Sequence, residues 1–272
     1  MVKSTPYIRN ITVTVLMICV MILSLCVHAN SDNNQDKNLH ENEYDFSGVD
    51  PKYRDSLFIS RATAPEINIS FDNALENKDI FFNKDSRDTI QYVVGGYVLT
   101  RDGTQVTYYS ASMDFTSSEI AAINNYINTV FPNVTVVSQP SSKFNCHSYA
   151  WYDPSSSNIH WIDDVYSFVN DAHSSSVSSP SVGNLVVYLS GDNSIVHSAI
   201  ITDITGTNIT VVSKWGQYGV YSHLITYVPS DYYYSSGSVV YAVLSYLDHS
   251  YGQYSYNATL HYHTCSLCNE TA

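Results

Sequence analysis

Hydrophobic and polar positions change rhythm several times along the chain, and each change predicts an element. An apolar run spans Ile11 to Val27, and residues 30–57 are then polar and charge-rich with no period, the pattern of a flexible lead-in. From residue 90 the alternation begins: "YVVGGYVLT" and "QVTYYSA" flank "RDGT", which predicts a hairpin turning on Asp102-Gly103. "TSSE" at 116–119 is a capping box, and Ile120, Ile123, Ile127 and Val130 recur at helical spacing up to Pro132. A β-like "VTVV" follows, then the loop "SQPSS" and the stretch "SSKFNCHSYAWYD". Asp153-Pro154 ends that stretch, because the residue before proline avoids the helical region. "WIDDVYSFVNDA" predicts a short helix with Ile162, Val165, Phe168 and Val169 on one side, and "HSSSVSSPSVG" a surface loop. "NLVVYLS", "SIVHSAIITDI", "NITVVSKW" and "SVVYAVLSYL", separated by "GDN", "TGT" and "SSG", predict an antiparallel meander. The expected class is α+β, with helices segregated from an antiparallel sheet.

Lys3 and Arg9 ahead of the apolar run, and "VHA" after it, have the layout of a secretory signal peptide cut after Ala29. The competing reading is a retained anchor, since the run is about long enough to cross a bilayer. Cleavage predicts a secreted or cell-surface-associated protein with no membrane anchor. It removes two positive charges and no negative ones, taking the net charge from −13 to −15. Such a surface repels phosphate backbones, so no nucleic-acid partner is expected, and it disfavours anionic membranes. The 24 tyrosines suit a surface facing sugars or peptides without choosing between them.

Cysteine bookkeeping sharpens the picture. Cys19 and Cys26 leave with the signal peptide, Cys265 and Cys268 form a C-x-x-C pair, and Cys146 remains odd. An odd thiol in an exported chain is a liability unless it is buried or employed. Asn145 is a favoured N-cap, which places Cys146 at the first position of a helix, beside unpaired N–H groups. That setting lowers a thiol's pKa and supplies donors for an oxyanion. The plainer reading is a small buried hydrophobe. A catalytic thiol needs a base. His147 is adjacent, but helix neighbours do not face each other, and His160, His173 and His223 sit in polar segments that read as surface. In "IVHSAIITDI" alternation puts His197 with Ala199 and Ile201 on the apolar face of a strand.

"NCHSYAW" followed by "GNLVVYLSGDNSIVHSAIITDI" resembles the papain-like cysteine peptidases and amidases of cell walls, the NlpC-type peptidases and the CHAP domains. Gly183-Asn184 and His197-Ser198-Ala199-Ile200-Ile201 match that family's strand-opening positions, and the likeness covers about residues 116–247. The resemblance implies a papain-like catalytic domain there, with Cys146 as nucleophile and His197 as general base and later acid. The orienting third position falls near "VVSKWG", where Ser213 can accept a hydrogen bond and a charged Lys214 cannot. Gln139 is a further oxyanion donor or an ordinary loop residue, Trp151 a packing residue, and Trp215 a packing residue or part of a substrate groove. Residues 30–115 would form a polar lead-in and N-terminal β-rich region.

Residues 248–272 form a Cys/His-rich tail. It resembles short "H-x-Y … H-x-x-x-C-x-x-C" tails of exported bacterial surface proteins, and on that match His249, His261, Cys265 and Cys268 would ligate a structural zinc. A local disulfide is the competing structure. No cofactor is expected for catalysis. The expected function is amide-bond hydrolysis in cell-wall peptides (peptidoglycan) or other peptides. The alternatives are a non-catalytic surface or adhesion module on the same scaffold and an amine acyltransferase.

Overall fold

The computed structural model describes residues 90–234, 238–251 and 264–271, and the backbone alone at 57–60, 255–256 and 261–262. All of these belong to one compact unit, Gly48–Ala272. The expected signal peptide and most of the polar lead-in lie outside the described residues, and no described helix is long and apolar enough to cross a membrane.

Strand-forming alternation dominates, and the result is mostly antiparallel sheet with few helices. Strands β1 (Leu57–Ser60), β2 (Tyr92–Leu99) and β3 (Gln105–Ala111) precede helix α1 (Ser117–Val130) and β4 (Thr135–Ser138). Helices α2 (Cys146–Trp151) and α3 (Tyr166–Val169) follow, then β5 (Ser174–Ser176), β6 (Leu185–Leu189), β7 (Ile195–Thr205), β8 (Asn208–Lys214) and β9 (Val220–Leu224). A 3₁₀ turn (Ser230–Tyr232) leads to β10 (Val239–Tyr246), and β11 (Ser255–Tyr256) and β12 (His261–Tyr262) close the chain.

The main sheet has eight strands in the order β1-β10-β6-β7-β8-β9-β4, with β5 also pairing β10. The expected meander therefore holds only from β6 to β9. β10 leaves the far edge and returns to lie between β1 and β6. β9 was not expected: its "VYSHL" is too short and too interrupted by polar residues to stand out. The Ser-rich 173–182 segment is not wholly a surface loop, because β5 takes Ser174–Ser176 into the sheet opposite Ser245 and its neighbours. Small hydroxyl side chains fit there, Ser175 and Ser245 pairing Oγ to Oγ at 2.7 Å.

The hairpin β2-β3 turns where Asp102-Gly103 predicted, Gly103 taking φ +87°, a conformation that glycine adopts freely. The capping box is present in full: Thr116 accepts from the Glu119 amide, and the Glu119 carboxylate accepts from the Thr116 amide at 2.7 Å. α1 lays Ile123 and Ile127, with Phe131 beyond its end, on one sheet face formed by Val186, Tyr188, Ala199, Ile201, Val211, Trp215 and Tyr221. Trp215 is completely buried in this core and lines no groove. The register explains the membership, since Tyr188 lies opposite both His197 and Tyr241, and Val186 opposite both Ala199 and Val243. Strand neighbours point to opposite faces, so Ile200 and Val212 turn the other way and pack with Phe144, Tyr149 and Val220 beside α2.

Candidate functional site: a buried thiol at the start of α2 and a Cys/His cluster at the tail

Asn145 sets the site. Its side-chain oxygen accepts from the Ser148 amide at 3.1 Å, which caps α2, and its Nδ2 donates to the Ile162 carbonyl at 2.6 Å. This buried side chain thus fixes both the entry of α2 and the segment after it, and Cys146 follows as the first helical residue. The Cys146 thiol is buried and in no disulfide.

The helix lies across the strand that carries His197. The Ser198 hydroxyl is 2.9 Å from His147 Nδ1 and accepts from Trp151 Nε1 at 3.1 Å, so two residues of α2 pivot on a single strand position. Pairing of β7 with β8 starts at Ile200 and Val212, which leaves the Ser198 amide to face the Cys146 sulfur. Burial pushes the Cys146 thiol up to about 11, against the amides of Ser198 and His147 and the positive charge of Lys214. The resting group at neutral pH is therefore a thiol, and ionising it requires a partner that takes the proton.

His197 is completely buried, one residue from that amide. Its ring stacks on Tyr232 with centroids 3.9 Å apart and planes 7° from parallel. Among the described residues neither ring nitrogen has a hydrogen-bond partner. Burial holds the imidazole well below its ordinary pKa, helped by His223 and His147, so it is neutral. Tyr232 also feels Cys146: burial first, then the sulfur, raise its phenol. The structure brings Cys146, Tyr232 and His197 into one neighbourhood without a hydrogen bond from the imidazole to the sulfur.

Ser213 is engaged elsewhere. Its hydroxyl is 2.8 Å from His223 Nε2 and accepts from Trp215 Nε1 at 3.0 Å. His173 and His223 both read as surface residues in the sequence and are both buried, because β5 and β9 carry their neighbourhoods into the sheet. His160 is partly exposed. Gln139 is exposed and accepts from Asn124 Nδ2 at 2.5 Å, and Trp151 is buried packing.

Sequence reasoning set Lys214 aside, yet it is the completely buried cation of the site. Nζ donates to the carbonyls of Ser141 (2.8 Å), Gly216 (2.6 Å) and Tyr218 (2.6 Å) and lies 4.8 Å over the Phe144 ring. Burial lowers its pKa to about 7, opposed by the charges of Cys146 and Asp114. Three carbonyl acceptors match all three donors of an ammonium, so these contacts favour the charged form against burial. Lys214 ties the loop before Cys146 to the β8-β9 turn. The motif "VVSKWG" does not signal this: Gly216 and Tyr218 are near in sequence, but it is the β8-β9 turn that aims their carbonyls at Nζ, and the third acceptor, Ser141, is remote.

At the other end of the chain, ligand atoms of His173, His249, Cys265 and Cys268 all lie within 4.8 Å of one another. Cys265 and Cys268 are both free thiols. Three of the four are the expected tail residues. The fourth is His173, from the segment just before β5, and of His261 on β12 only the backbone is described. No protein-family model, no curated protein and no solved structure matches the chain.

Proposed function

We propose that the protein is a secreted thiol hydrolase of papain-like architecture that cuts amide bonds, with Cys146 as nucleophile and His197 as base. The observation that carries the reading is the imidazole itself. A fully buried histidine with both nitrogens unpartnered is costly, because buried polar groups are otherwise hydrogen-bonded, and this one sits beside the strand amide that faces the only odd thiol of the exported chain.

In the proposed reaction His197 leaves its stack on Tyr232, accepts the Cys146 proton as the sulfur attacks the carbonyl carbon, and becomes imidazolium. Amides at the start of α2 and the Lys214 charge stabilise the oxyanion. The imidazolium then protonates the departing amine as the C–N bond breaks, and water, deprotonated by the same ring, releases the acyl group from sulfur. Peptides of the bacterial wall are the substrate class the motif likeness supports.

A non-catalytic module on the same scaffold is favoured by one specific observation: among the described residues no side chain hydrogen-bonds His197, and Ser213 is bonded to His223 and Trp215. Alkylation by iodoacetamide across pH 6–11 separates the two readings. The hydrolase requires labelling at pH 7, far below the thiol's own titration, that His197→Ala slows by about tenfold or more. A rate that climbs with a single step towards pH 11, the same with and without His197, refutes it. Mass spectrometry of digested peptidoglycan then identifies the bond, with Cys146→Ala as the inactive control.

A further inference from the structure

We propose that His173, His249, Cys265 and Cys268 form a tetrahedral zinc site that clips the C-terminal tail to the body of the protein, with His173 in the place expected for His261. This inference is independent of any chemistry at Cys146. Zinc in structural sites takes four nitrogen and sulfur ligands, with bonds of about 2.0–2.3 Å that put ligand atoms roughly 3.3–3.8 Å apart. The four groups already lie within 4.8 Å of one another, so closing onto an ion needs shifts of about an ångström or less.

The surroundings are arranged as they are around bound metal. His173 is buried, and its Nδ1 is 2.9 Å from the Leu247 carbonyl, which can only accept. That contact fixes the tautomer with the proton on Nδ1 and a lone pair on Nε2. Nε2 is buried and has no hydrogen-bond partner among the described residues, the unexplained polar atom that a metal would satisfy. His249 presents Nδ1 at 3.5 Å to the Cys268 sulfur, while its Nε2 is 3.1 Å from the Glu270 carboxylate, the carboxylate–histidine pairing that orients metal ligands. The Cys265 sulfur accepts from the Leu267 amide at 3.4 Å. Cys265 also receives the Asn269 amide on its carbonyl at 2.9 Å, where Asn269 turns back at φ +62°. A C-x-x-C pair in such a turn presents two thiolates from one side. Two thiolates and two imidazoles in a tetrahedron match zinc in ligand softness and geometry.

The site also explains where the tail is anchored. The Leu247 amide donates to the His173 carbonyl at 3.0 Å, and the His173 and His249 rings meet edge to face at 4.5 Å. One ligand therefore comes from the segment entering β5 and three from beyond β10, so the ion links chain positions far apart in sequence.

The test uses the full exported chain, zinc alone as ligand, and cobalt(II) as spectroscopic probe. The expected result is one zinc per chain by elemental analysis, and a cobalt spectrum with thiolate charge-transfer bands and intense tetrahedral d–d bands. His173→Ala and Cys268→Ser should each weaken zinc by at least tenfold, and His261→Ala should leave it unchanged. Zinc should also slow protease cleavage between Leu247 and Cys265 in the wild type and not in Cys268→Ser. That variant keeps the readout valid if His173→Ala does not fold. Zinc lost in His261→Ala and retained in His173→Ala overturns the ligand set. A Cys265–Cys268 disulfide in the purified chain with no zinc uptake after reduction overturns the site.

Discussion

Acidification should unfold this protein, and the size of the effect follows from two histidines sealed in as neutral rings. Burial lowers His147 and His223 from an ordinary 6.5 to about 4 each. His223 shows why: Nδ1 meets the Leu224 carbonyl at 2.9 Å, while Nε2 meets the Ser213 hydroxyl at 2.8 Å and the Trp215 N–H at 3.3 Å. A second proton on Nε2 would therefore point at a donor. Each folded-state pKa is depressed, so the unfolded chain binds more protons between pH 6.5 and 4, and stability falls as pH falls through that window. With these shifts each ring costs about 2.5 kcal/mol on going from pH 7.5 to 4.5, roughly 5 kcal/mol for the pair treated as independent. His197 acts in the same direction. A loss of that size is comparable to the total stability of many domains, about 5–15 kcal/mol. Urea unfolding of the chelator-treated protein, followed by tryptophan fluorescence at pH 7.5, 6.0 and 4.5, measures it. The double variant His147→Gln, His223→Gln should be less stable at pH 7.5 and lose far less on acidification. Stability level to within about 1 kcal/mol across the window, or an equal loss in the double variant, would refute the reasoning.

Two further outcomes test the scaffold around the sulfur. Asn145→Ala removes the α2 cap and leaves the Ile162 carbonyl without its 2.6 Å donor; a loss of about 2–3 kcal/mol is expected in denaturant melts. Lys214→Met strips the donors from three carbonyls and the positive charge from beside Cys146. It should cost about 2–4 kcal/mol and move the thiol's alkylation profile to higher pH.

Local signals were readable in the sequence because their physics is local. The Thr116 cap, the Asp102-Gly103 turn, the Asn145 cap and the His197–Ala199–Ile201 face each depend on residues a few positions apart, and each stands in the structure as read. What could not be read was pairing at a distance. The return of β10 to the interior of the sheet, the burial of His223 by β9, and the recruitment of His173 to the tail cysteines depend on which strand lies beside which. Alternation in one segment says nothing about its neighbour. Lys214 was misjudged only partly for the same reason. Its acceptors at Gly216 and Tyr218 are local and depend on how the β8-β9 turn folds, while the third, Ser141, comes from a distant loop.

The position of β10 has a consequence for how the chain is made. The ladders that join this strand to β1 near the front and to β5 and β6 in the middle wait for residues 239–246. Until then the nascent polypeptide carries two open edges and no finished interior. Biosynthesis is thus separated from closure: the sheet reaches its full width only once residues 239–246 have been made.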